Sequence, residues 1–152
     1  MMPFFIRPMS KGDIPYVHSL ALDSLDEYYS DEIFTLFLEQ WPGGQYVACR
    51  YDGTVVGFIC GSNLGPDRIG IALFAVNRSS RGKGIGSKLL ATLRQSGTLR
   101  GALTIQLEVR TENESALDFY KKRGFVTAEI LHSYYRNNGD AIRMLGLCSV
   151  NS

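Results

Sequence analysis

The sequence predicts a single α/β domain over residues 4–147, built around a mixed central sheet. Three observations support this prediction. Apolar runs of strand length alternate with segments of helical periodicity, and glycine or proline marks many of the boundaries between them. No internal repeat, linker or low-complexity tract interrupts the pattern. A chain of 152 residues with 45% hydrophobic and 20% charged residues has the size and composition of one globular domain.

The order of elements is predicted to be β-α-α-β-β-β-α-β-α-β-β. Asp13 is a candidate N-cap for the first helix, which has Pro15 in its first turn. The second helix begins near residue 30 and ends before Pro42, and Asp52-Gly53 predicts a hairpin after it. The expected strands are 4–7, 46–51, 55–60, 69–76, 103–109, 125–131 and 140–147, and the later helices are 85–94 and 115–123.

Charge and cysteine usage predict an intracellular, cytoplasmic protein. With 16 basic and 15 acidic residues the net charge is +1, so composition gives no argument for a nucleic-acid or membrane partner. Cys49, Cys60 and Cys148 have neither C-x-x-C nor metal-site spacing, and we expect no bound metal. Two of the three lie in apolar runs, which is typical of buried, reduced thiols.

The most informative segment is the loop Arg81-Gly82-Lys83-Gly84-Ile85-Gly86, between an apolar strand and a helical pattern. Its three glycines allow a sharp turn and a close backbone approach to a ligand, and the helix directs its unpaired N–H groups at the same place. Such a site favours phosphate. It is not a P-loop, because Gly84 follows Gly-Lys, and it is not a dinucleotide fingerprint, because the third glycine comes one residue early. A glycine-rich turn without a ligand is the alternative.

Three segments together resemble the GCN5-related N-acetyltransferase (GNAT) family over nearly the whole chain. The loop fits the family's Q/R-x-x-G-x-G/A pattern, and residues 107–125 match L-E-V-R-x-x-N-x-x-A-x-x-x-Y-x-x-x-G-F. Residues 134–141 resemble the Y-Y-x-x-G-x-D-A hairpin of the branch that acetylates protein N-termini. That branch includes the bacterial ribosomal-protein alanine acetyltransferases and the archaeal catalytic subunits. The resemblance implies a GNAT fold whose sheet splays into an acetyl-CoA cleft.

The resemblance also implies which residues carry the chemistry. Acetylation of an amine by a thioester needs a base for the amine and an acid for the departing thiolate. By resemblance, Glu108 is the base, directly or through water, and Tyr120 is the acid near the CoA sulfur. From periodicity alone, Glu108 has a solvent-facing alternative and Tyr120 a core-packing one. An acyl-CoA-binding module without turnover would lack both groups, and this sequence has both.

The implied cofactor is acetyl-CoA, with CoA as the product. Family members leave main-chain groups free for pantetheine at the splayed strand and wrap the pyrophosphate with loop amides. For Asn113 two roles stay open, a contact near the pantetheine and the N-cap of the following helix. The implied cofactor-binding residues are Phe74, Ala75, Val76, Arg81, Gly82, Lys83, Gly84, Ile85, Gly86, Ser87, Asn113 and Tyr120.

The implied acceptor is the N-terminus of a protein or peptide. Residues 25–29 resemble the L-P-E-N-Y loop of the archaeal and eukaryotic branch, with Asp26 in place of proline. Tyrosine hydroxyls suit main-chain amides, although ordinary strand aromatics are the alternative for the hairpin pair. The expected substrate-binding residues are Leu25, Glu27 and Tyr29 on one side, and Tyr134 and Tyr135 on the other. A small-molecule amine or a lysine ε-amine is the alternative acceptor, and an auxiliary subunit is compatible with the resemblance.

Overall fold

A seven-stranded mixed sheet with helices on both faces organises the computed structural model, which describes residues 3–149. The strands are β1 (Phe4–Pro8), β2 (Gln45–Arg50), β3 (Val55–Asn63), β4 (Arg68–Val76), β5 (Thr104–Arg110), β6 (Val126–Leu131) and β7 (Ala141–Leu147). The helices are α1 (Ile14–Ser24), α2 (Glu32–Gln40), α3 (Ile85–Arg100) and α4 (Glu114–Lys122). The predicted fold class and order of elements are confirmed.

Helix α3 is longer than the sequence predicts, because it continues to Arg100 and not to Arg94. The apolar periodicity fades after Leu93, but the buried face continues with Arg94 and Gly97. A Cβ at Gly97 would lie 2.6 Å from Ile69 Cδ1, so glycine allows the helix to pack closely on the sheet. The helix ends at Gly101, whose positive φ of 98° forms the C-terminal cap.

The sheet has the strand order β1-β2-β3-β4-β5-β7-β6, and its single parallel pair is β4 with β5. This pair is short. Only Arg68, Ile69 and Gly70 pair with β5, opposite residues 104–106, and within the described residues the two strands have no further paired positions. Beyond Gly70, β4 stays paired with β3 and β5 stays paired with β7. The sheet therefore opens between two strands that are each supported on their outer side.

Two apolar clusters, one on each face of the sheet, hold the helices in place. On one face α3 and α4 pack on the sheet, through buried residues that include Ile59, Ile69, Leu89, Leu93, Ile105, Leu117 and Met144. On the other face α1 and α2 cover it, through buried residues that include Val17, Leu20, Phe34, Val47, Phe58 and Leu73. Burying both faces is what allows the central strands to be rich in apolar residues.

The cysteines follow the sequence prediction, since Cys49, Cys60 and Cys148 are all free and buried. Burial raises the pKa of each of these thiols, which keeps them protonated and unreactive. Within residues 3–149, no helix has both the length and the apolar character that crossing a membrane requires.

Asp13 connects β1 to the start of α1, in a way that differs from the predicted N-cap. Its carboxylate makes no capping bond to α1. It accepts hydrogen bonds from Arg7 Nη1 and Nη2, at 2.7 and 2.8 Å, and from the Ser10 amide at 2.8 Å. Arg7 takes the carboxylate in place of the helix amides, because it forms a bidentate ion pair and because Asp13 has helical backbone angles, φ −82° and ψ −17°, in place of the extended ones usual at an N-cap. These same hydrogen bonds, Arg7 first, lower the pKa of Asp13.

Replacing Asp13 by Asn should lower the free energy of unfolding by about 1–2 kcal/mol at pH 7. This value allows for the screening of the ion pair by water, because the Arg7 side chain is partly exposed. A carboxyl with a lowered folded-state pKa stabilises the fold above its unfolded-state pKa. That contribution is lost as the pH falls through the folded-state pKa. Urea unfolding should therefore show the full difference at pH 7, and the difference should shrink as the pH falls below the unfolded-state pKa of about 3.9 towards the lower folded-state pKa.

The matched control is Asp118→Asn, which removes an exposed carboxylate from α4. It should change the free energy of unfolding little at either pH. A D13N difference that stayed constant from pH 7 to pH 3 would contradict a role for the ionised carboxylate.

Candidate active site

The opening between β4 and β5 forms a cleft of about 270 Å³. Four parts of the chain line it: the α1–α2 loop, the two diverging strands, the start of α4 and the β6–β7 hairpin. Nine of the residues predicted for the site meet here, namely Leu25, Glu27, Tyr29, Phe74, Glu108, Asn113, Tyr120, Tyr134 and Tyr135. The other nine, Ala75, Val76, Arg81, Gly82, Lys83, Gly84, Ile85, Gly86 and Ser87, do not line this cavity. They continue along β4 and the glycine-rich loop to the start of α3.

Glu108 lies on the cleft face of β5. Its strand neighbours Leu107 and Val109 are buried on the opposite face, as strand alternation requires. One carboxylate oxygen, Oε2, accepts hydrogen bonds from Arg143 Nε and Gln106 Nε2, both at 2.9 Å. The other oxygen, Oε1, has a long 3.5 Å contact from the Tyr134 hydroxyl. The side chain is 18% exposed, so the carboxylate is oriented by a cation and still faces the cleft.

Tyr120 lies on the inner side of α4 and also reaches the cleft. Its ring packs edge-to-face against Phe119 and Phe125, with centroids 5.3 and 5.4 Å away. Burial, with Tyr135 nearby, raises the pKa of Tyr120 well above that of an ordinary phenol. Tyr120 stays protonated and remains a donor throughout the physiological pH range.

Three more phenols surround the cleft, and all stay neutral. Burial, followed by the charge of Glu27, raises the pKa of Tyr29. Burial, followed by Glu108, raises that of Tyr134, and burial, followed by Tyr134, raises that of Tyr135 to about 12. The two hairpin rings meet edge-to-face at 5.0 Å. The cleft walls thus present uncharged hydroxyl groups that can donate or accept hydrogen bonds.

The β6–β7 hairpin is held by its own backbone and by Asp140. The amides of Tyr134 and Tyr135 both donate to the Gly139 carbonyl, and the Asp140 carboxylate accepts from the Ser133 amide at 2.9 Å. Asn138 stands where the family pattern has glycine, and it adopts a φ of 65°. Asparagine tolerates this left-handed conformation better than most residues, so the turn is preserved.

The two histidines make contacts to residues of the loops that border the cleft. His132 Nδ1 lies 3.3 Å from Asp140 Oδ2 in the hairpin. His18 Nε2 lies 2.9 Å from the Tyr29 carbonyl oxygen, and this contact fixes the α1–α2 loop.

Asn113 is the N-cap of α4, because its Oδ1 accepts a hydrogen bond from the Ala116 amide at 3.1 Å. It also lines the cleft. The capping alternative is therefore confirmed, and the contact near pantetheine stays a prediction that the position of Asn113 allows.

The glycine-rich loop leads directly into α3 with two left-handed residues, Gly82 at φ 77° and Gly84 at φ 85°. A Cβ on either would meet no atom within 4 Å, so the space beside the loop is open. Gly84 is the N-cap of α3 and provides no side-chain acceptor for the first-turn amides. These N–H groups are available to an anion, as the sequence predicts.

Three side chains of this segment make contacts within the protein. Arg81 Nε donates to the Val76 carbonyl at 3.0 Å, which ties the loop back to β4. Ile85 is buried in the core, and Ser87 Oγ contacts Arg123. The predicted contribution of these three residues is consequently a main-chain one, whereas the Lys83 side chain is exposed.

Two residues near Glu108 and Glu27 were missed by the sequence analysis. Arg143 holds Glu108, and Arg110 Nη2 donates to Glu27 Oε1 at 3.1 Å. In the sequence, nothing beyond the alternation of side chains along β7 marks Arg143 as a residue of the site. Arg110 is the last residue of the L-E-V-R segment, so the family pattern contains it. The periodicity of a strand does not predict which residue it contacts.

Comparison with known proteins identifies the family. Residues 14–125 match the Acetyltransferase (GNAT) family. N-alpha-acetyltransferase 30 of Schizosaccharomyces pombe is 34% identical over 142 residues, which cover 87% of this chain and 95% of that protein. The chain belongs to the GNAT family of acetyltransferases.

Solved structures agree with this GNAT assignment. Ard1 from Thermoplasma volcanium superposes with a TM-score of 0.91 at 37% identity, covering 95% of this chain and 97% of that one. A chain of the NatC complex bound to Gag peptide and CoA superposes with a TM-score of 0.89 at 27% identity, covering 96% of this chain and 99% of that one.

This GNAT acetyltransferase takes its acetyl group from acetyl-CoA. The residues present fit that group. The open space beside Gly82 and Gly84 and the uncapped start of α3 suit a pyrophosphate. The unpaired inner edge of β4 beyond Gly70 offers main-chain groups to an amide-containing arm.

Saturating acetyl-CoA should stabilise the fold, and Gly84→Val should weaken this effect. A ligand that binds the native state at about 100 times its dissociation constant adds about 2.7 kcal/mol to the free energy of unfolding. Valine at a φ of 85° is strained and fills the space beside the loop. Thermal melts with and without acetyl-CoA measure the difference.

The matched control is Gly101→Val, at the other end of the same helix. Gly101 has a similar φ of 98° and the same open surroundings, but it lies about 26 Å from Gly84 along α3, at 1.5 Å per residue. This variant should melt lower and keep the full acetyl-CoA effect. Equal protection of all three proteins would remove the loop from the cofactor site.

Proposed function

We propose that this acetyltransferase modifies the α-amine of protein N-termini, with Glu108 as general base and Tyr120 as general acid. The observation that carries the proposal is that Glu108, on the part of β5 that does not pair with β4, lines one cleft together with the neutral phenols of Tyr29 and Tyr134. The names of the similar proteins, N-alpha-acetyltransferase 30 among them, support the same acceptor.

The cleft favours a chain-like acceptor. A second cavity of about 330 Å³ continues past Glu108 and shares Tyr29, Glu108 and Tyr134 with the first. Its far wall is formed by α2 and the end of β3, through Ile33, Phe37, Ser62 and Leu64. A small amine would leave this second cavity empty, whereas the residues after the first one of a peptide would enter it.

Neutral hydroxyl groups suit the main chain of such a peptide. The phenols of Tyr29, Tyr134 and Tyr135 can donate to carbonyl groups and accept from amides. They do so without a net charge, so they recognise the backbone and select little among side chains. The amine itself arrives protonated and is attracted to the carboxylates of Glu27 and Glu108.

Glu108 then has the position of the base. It accepts a proton from the ammonium group, directly or through one water, and Arg143 keeps its other oxygen fixed during the transfer. The amine lone pair becomes free to form the new C–N bond. Acetyl-CoA supplies the acetyl group as a thioester.

Tyr120 has the position of the acid. Its buried phenol lies across the cleft on α4 and keeps its proton at neutral pH. As the C–S bond breaks, negative charge develops on sulfur and the phenol donates its hydrogen to that charge. The main-chain groups of β4 face the same region and can stabilise charge on the carbonyl oxygen.

Replacing Glu108 by Gln should lower kcat by about 10²–10⁴-fold, the usual contribution of a general base. The amide keeps the shape of the side chain and loses its basicity, so the dissociation constant of acetyl-CoA should stay the same. Steady-state rates from pH 6 to 9, together with acetyl-CoA titrations, measure both quantities.

Glu129→Gln is the matched control, because Glu129 accepts a 2.8 Å hydrogen bond from the same Arg143 but is half exposed outside the cleft. It should leave kcat nearly unchanged. Wild-type rates for E108Q across this pH range would exclude Glu108 as the base and leave Asp26 and Glu27 as the other carboxylates that line the cleft.

The acceptor is tested by mass spectrometry of the products formed with acetyl-CoA. Short peptides that begin with Ala, Ser or Met should gain one acetyl group on the α-amine. N-terminally blocked peptides that contain lysine, and a polyamine, should gain none. Acetylation found only on lysine or on the polyamine would reject the proposed acceptor while leaving the acetyltransferase assignment intact.

A further inference from the structure

We propose that Arg110 is a positioning residue. It binds both loops that border the acceptor slot, the part of the cleft in which the acceptor would lie, and attaches them to β5. In this way it acts as a clamp and sets the width of the slot. This inference rests on the proposed function. The walls are the α1–α2 loop, residues 25–31, and the hairpin loop, residues 132–140. Neither segment belongs to a helix or strand, so contacts outside regular secondary structure contribute to fixing their separation.

Arg110 is a suitable anchor because of its own position. It is the last residue of β5, paired with Ala141 at the start of β7. Its side chain is 12% exposed, and it lines the cleft. A guanidinium attached to a strand can bind the α1–α2 loop and the hairpin loop at once, since its donors form a planar fork.

On one side the guanidinium binds the α1–α2 loop. Nη2 donates to Glu27 Oε1 at 3.1 Å, and the Glu27 side chain is 17% exposed. Nε lies 3.3 Å from Asp26 Oδ2, an exposed carboxylate. The contact with Glu27 is the stronger one, because it is the better shielded from water.

On the other side the same group holds the hairpin. Nη1 donates to Asn137 Oδ1 at 3.2 Å and lies 3.9 Å from Glu112 Oε1. The guanidinium carbon lies 4.1 Å from the centre of the Tyr135 ring, which is cation–π geometry. One side chain therefore contacts both Glu27 and Tyr135, which belong to different loops and both line the cleft.

Gly139 leaves room for this arrangement. A Cβ at Gly139 would lie 2.5 Å from Arg110 Nη1 and 3.0 Å from Asn137 Oδ1. The backbone at Gly139 has no positive φ, so alanine is acceptable to the local conformation. Gly139→Ala thus displaces the guanidinium without removing its charge, which makes it an independent probe of position.

The first measurement compares Arg110→Met and Arg110→Lys with the wild type. Methionine keeps the apolar stem, while lysine keeps the charge and loses the fork. For an N-terminal peptide we expect kcat/KM to fall by about 10²-fold in R110M, as for a misplacement near 1 Å, with acetyl-CoA affinity unchanged. R110K should recover part of the loss.

Arg100→Met is the structural control. Arg100 donates to the Gly65 and Arg68 carbonyls and packs over Trp41, away from the cleft. It should lower the melting temperature and spare the peptide KM. If R110M only lowers the melting temperature, as R100M does, or changes nothing, the clamp is refuted.

The second measurement is a double-mutant cycle between G139A and R110A. If Gly139 acts through Arg110, adding G139A to R110A should cost little further activity, although G139A alone lowers kcat/KM. Additive losses would overturn the proposed link. If the Arg110 variants do not fold, G139A alone still tests the inference, because it retains the arginine, displaces its guanidinium and should lower kcat/KM for the peptide; unchanged kcat/KM would refute the clamp.

The third measurement does not depend on any acceptor. Amide hydrogen exchange should become faster in residues 25–31 and 132–140 together in R110M, and in neither segment in R100M. Unchanged exchange in R110M would refute the clamp. If the wild type failed to acetylate N-terminal peptides while exchange became faster in both segments of R110M, the proposed function would be refuted and the clamp would be supported.

Discussion

Most of the functional architecture depends on the point where β4 and β5 stop pairing, just after Gly70. Main-chain groups that lose ladder partners cost free energy, so this opening persists only because each strand is supported from outside. β3 supports β4, and β7 supports β5 over its whole length. The opening creates the cavity, exposes the inner edge of β4, and brings the cleft face of β5 opposite the start of α4.

The charges in the cleft follow a common arrangement. Glu108 is held by Arg143 from β7, and Glu27 is held by Arg110 from β5, so each cleft carboxylate is oriented by a guanidinium fixed to a strand. The cleft is also lined by phenols, and burial keeps these neutral. The charged side chains that line it are Asp26, Glu27, Glu108 and Arg110, and the uncharged remainder of the surface can bind a main chain. This arrangement agrees with an acceptor that is recognised by its terminus more than by its sequence.

Much of the fold was accessible from the sequence, because its signals are local. The strand and helix order, the Asp52-Gly53 hairpin and the glycine-rich start of α3 rest on periodicity and turn chemistry, and all appear in the structure. The structure differs from the sequence prediction where a residue contacts a partner that is distant along the chain. Asp13 turns from the helix amides to Arg7, and α3 extends because Gly97 fits against Ile69 on the sheet.

For the site, the sequence by itself determined which residue types are present and in what order, and the family resemblance gave each a role. The resemblance gave roles to Glu108, Tyr120 and the loop amides, because the motifs that contain them are distinctive. Only the tertiary structure decided which charges meet. Arg143 lies thirty-five residues from Glu108, and Arg110 lies eighty-three from Glu27. Such pairs form because strand pairing and the divergence of β4 from β5 bring distant segments together, and no spacing along the chain encodes that distance.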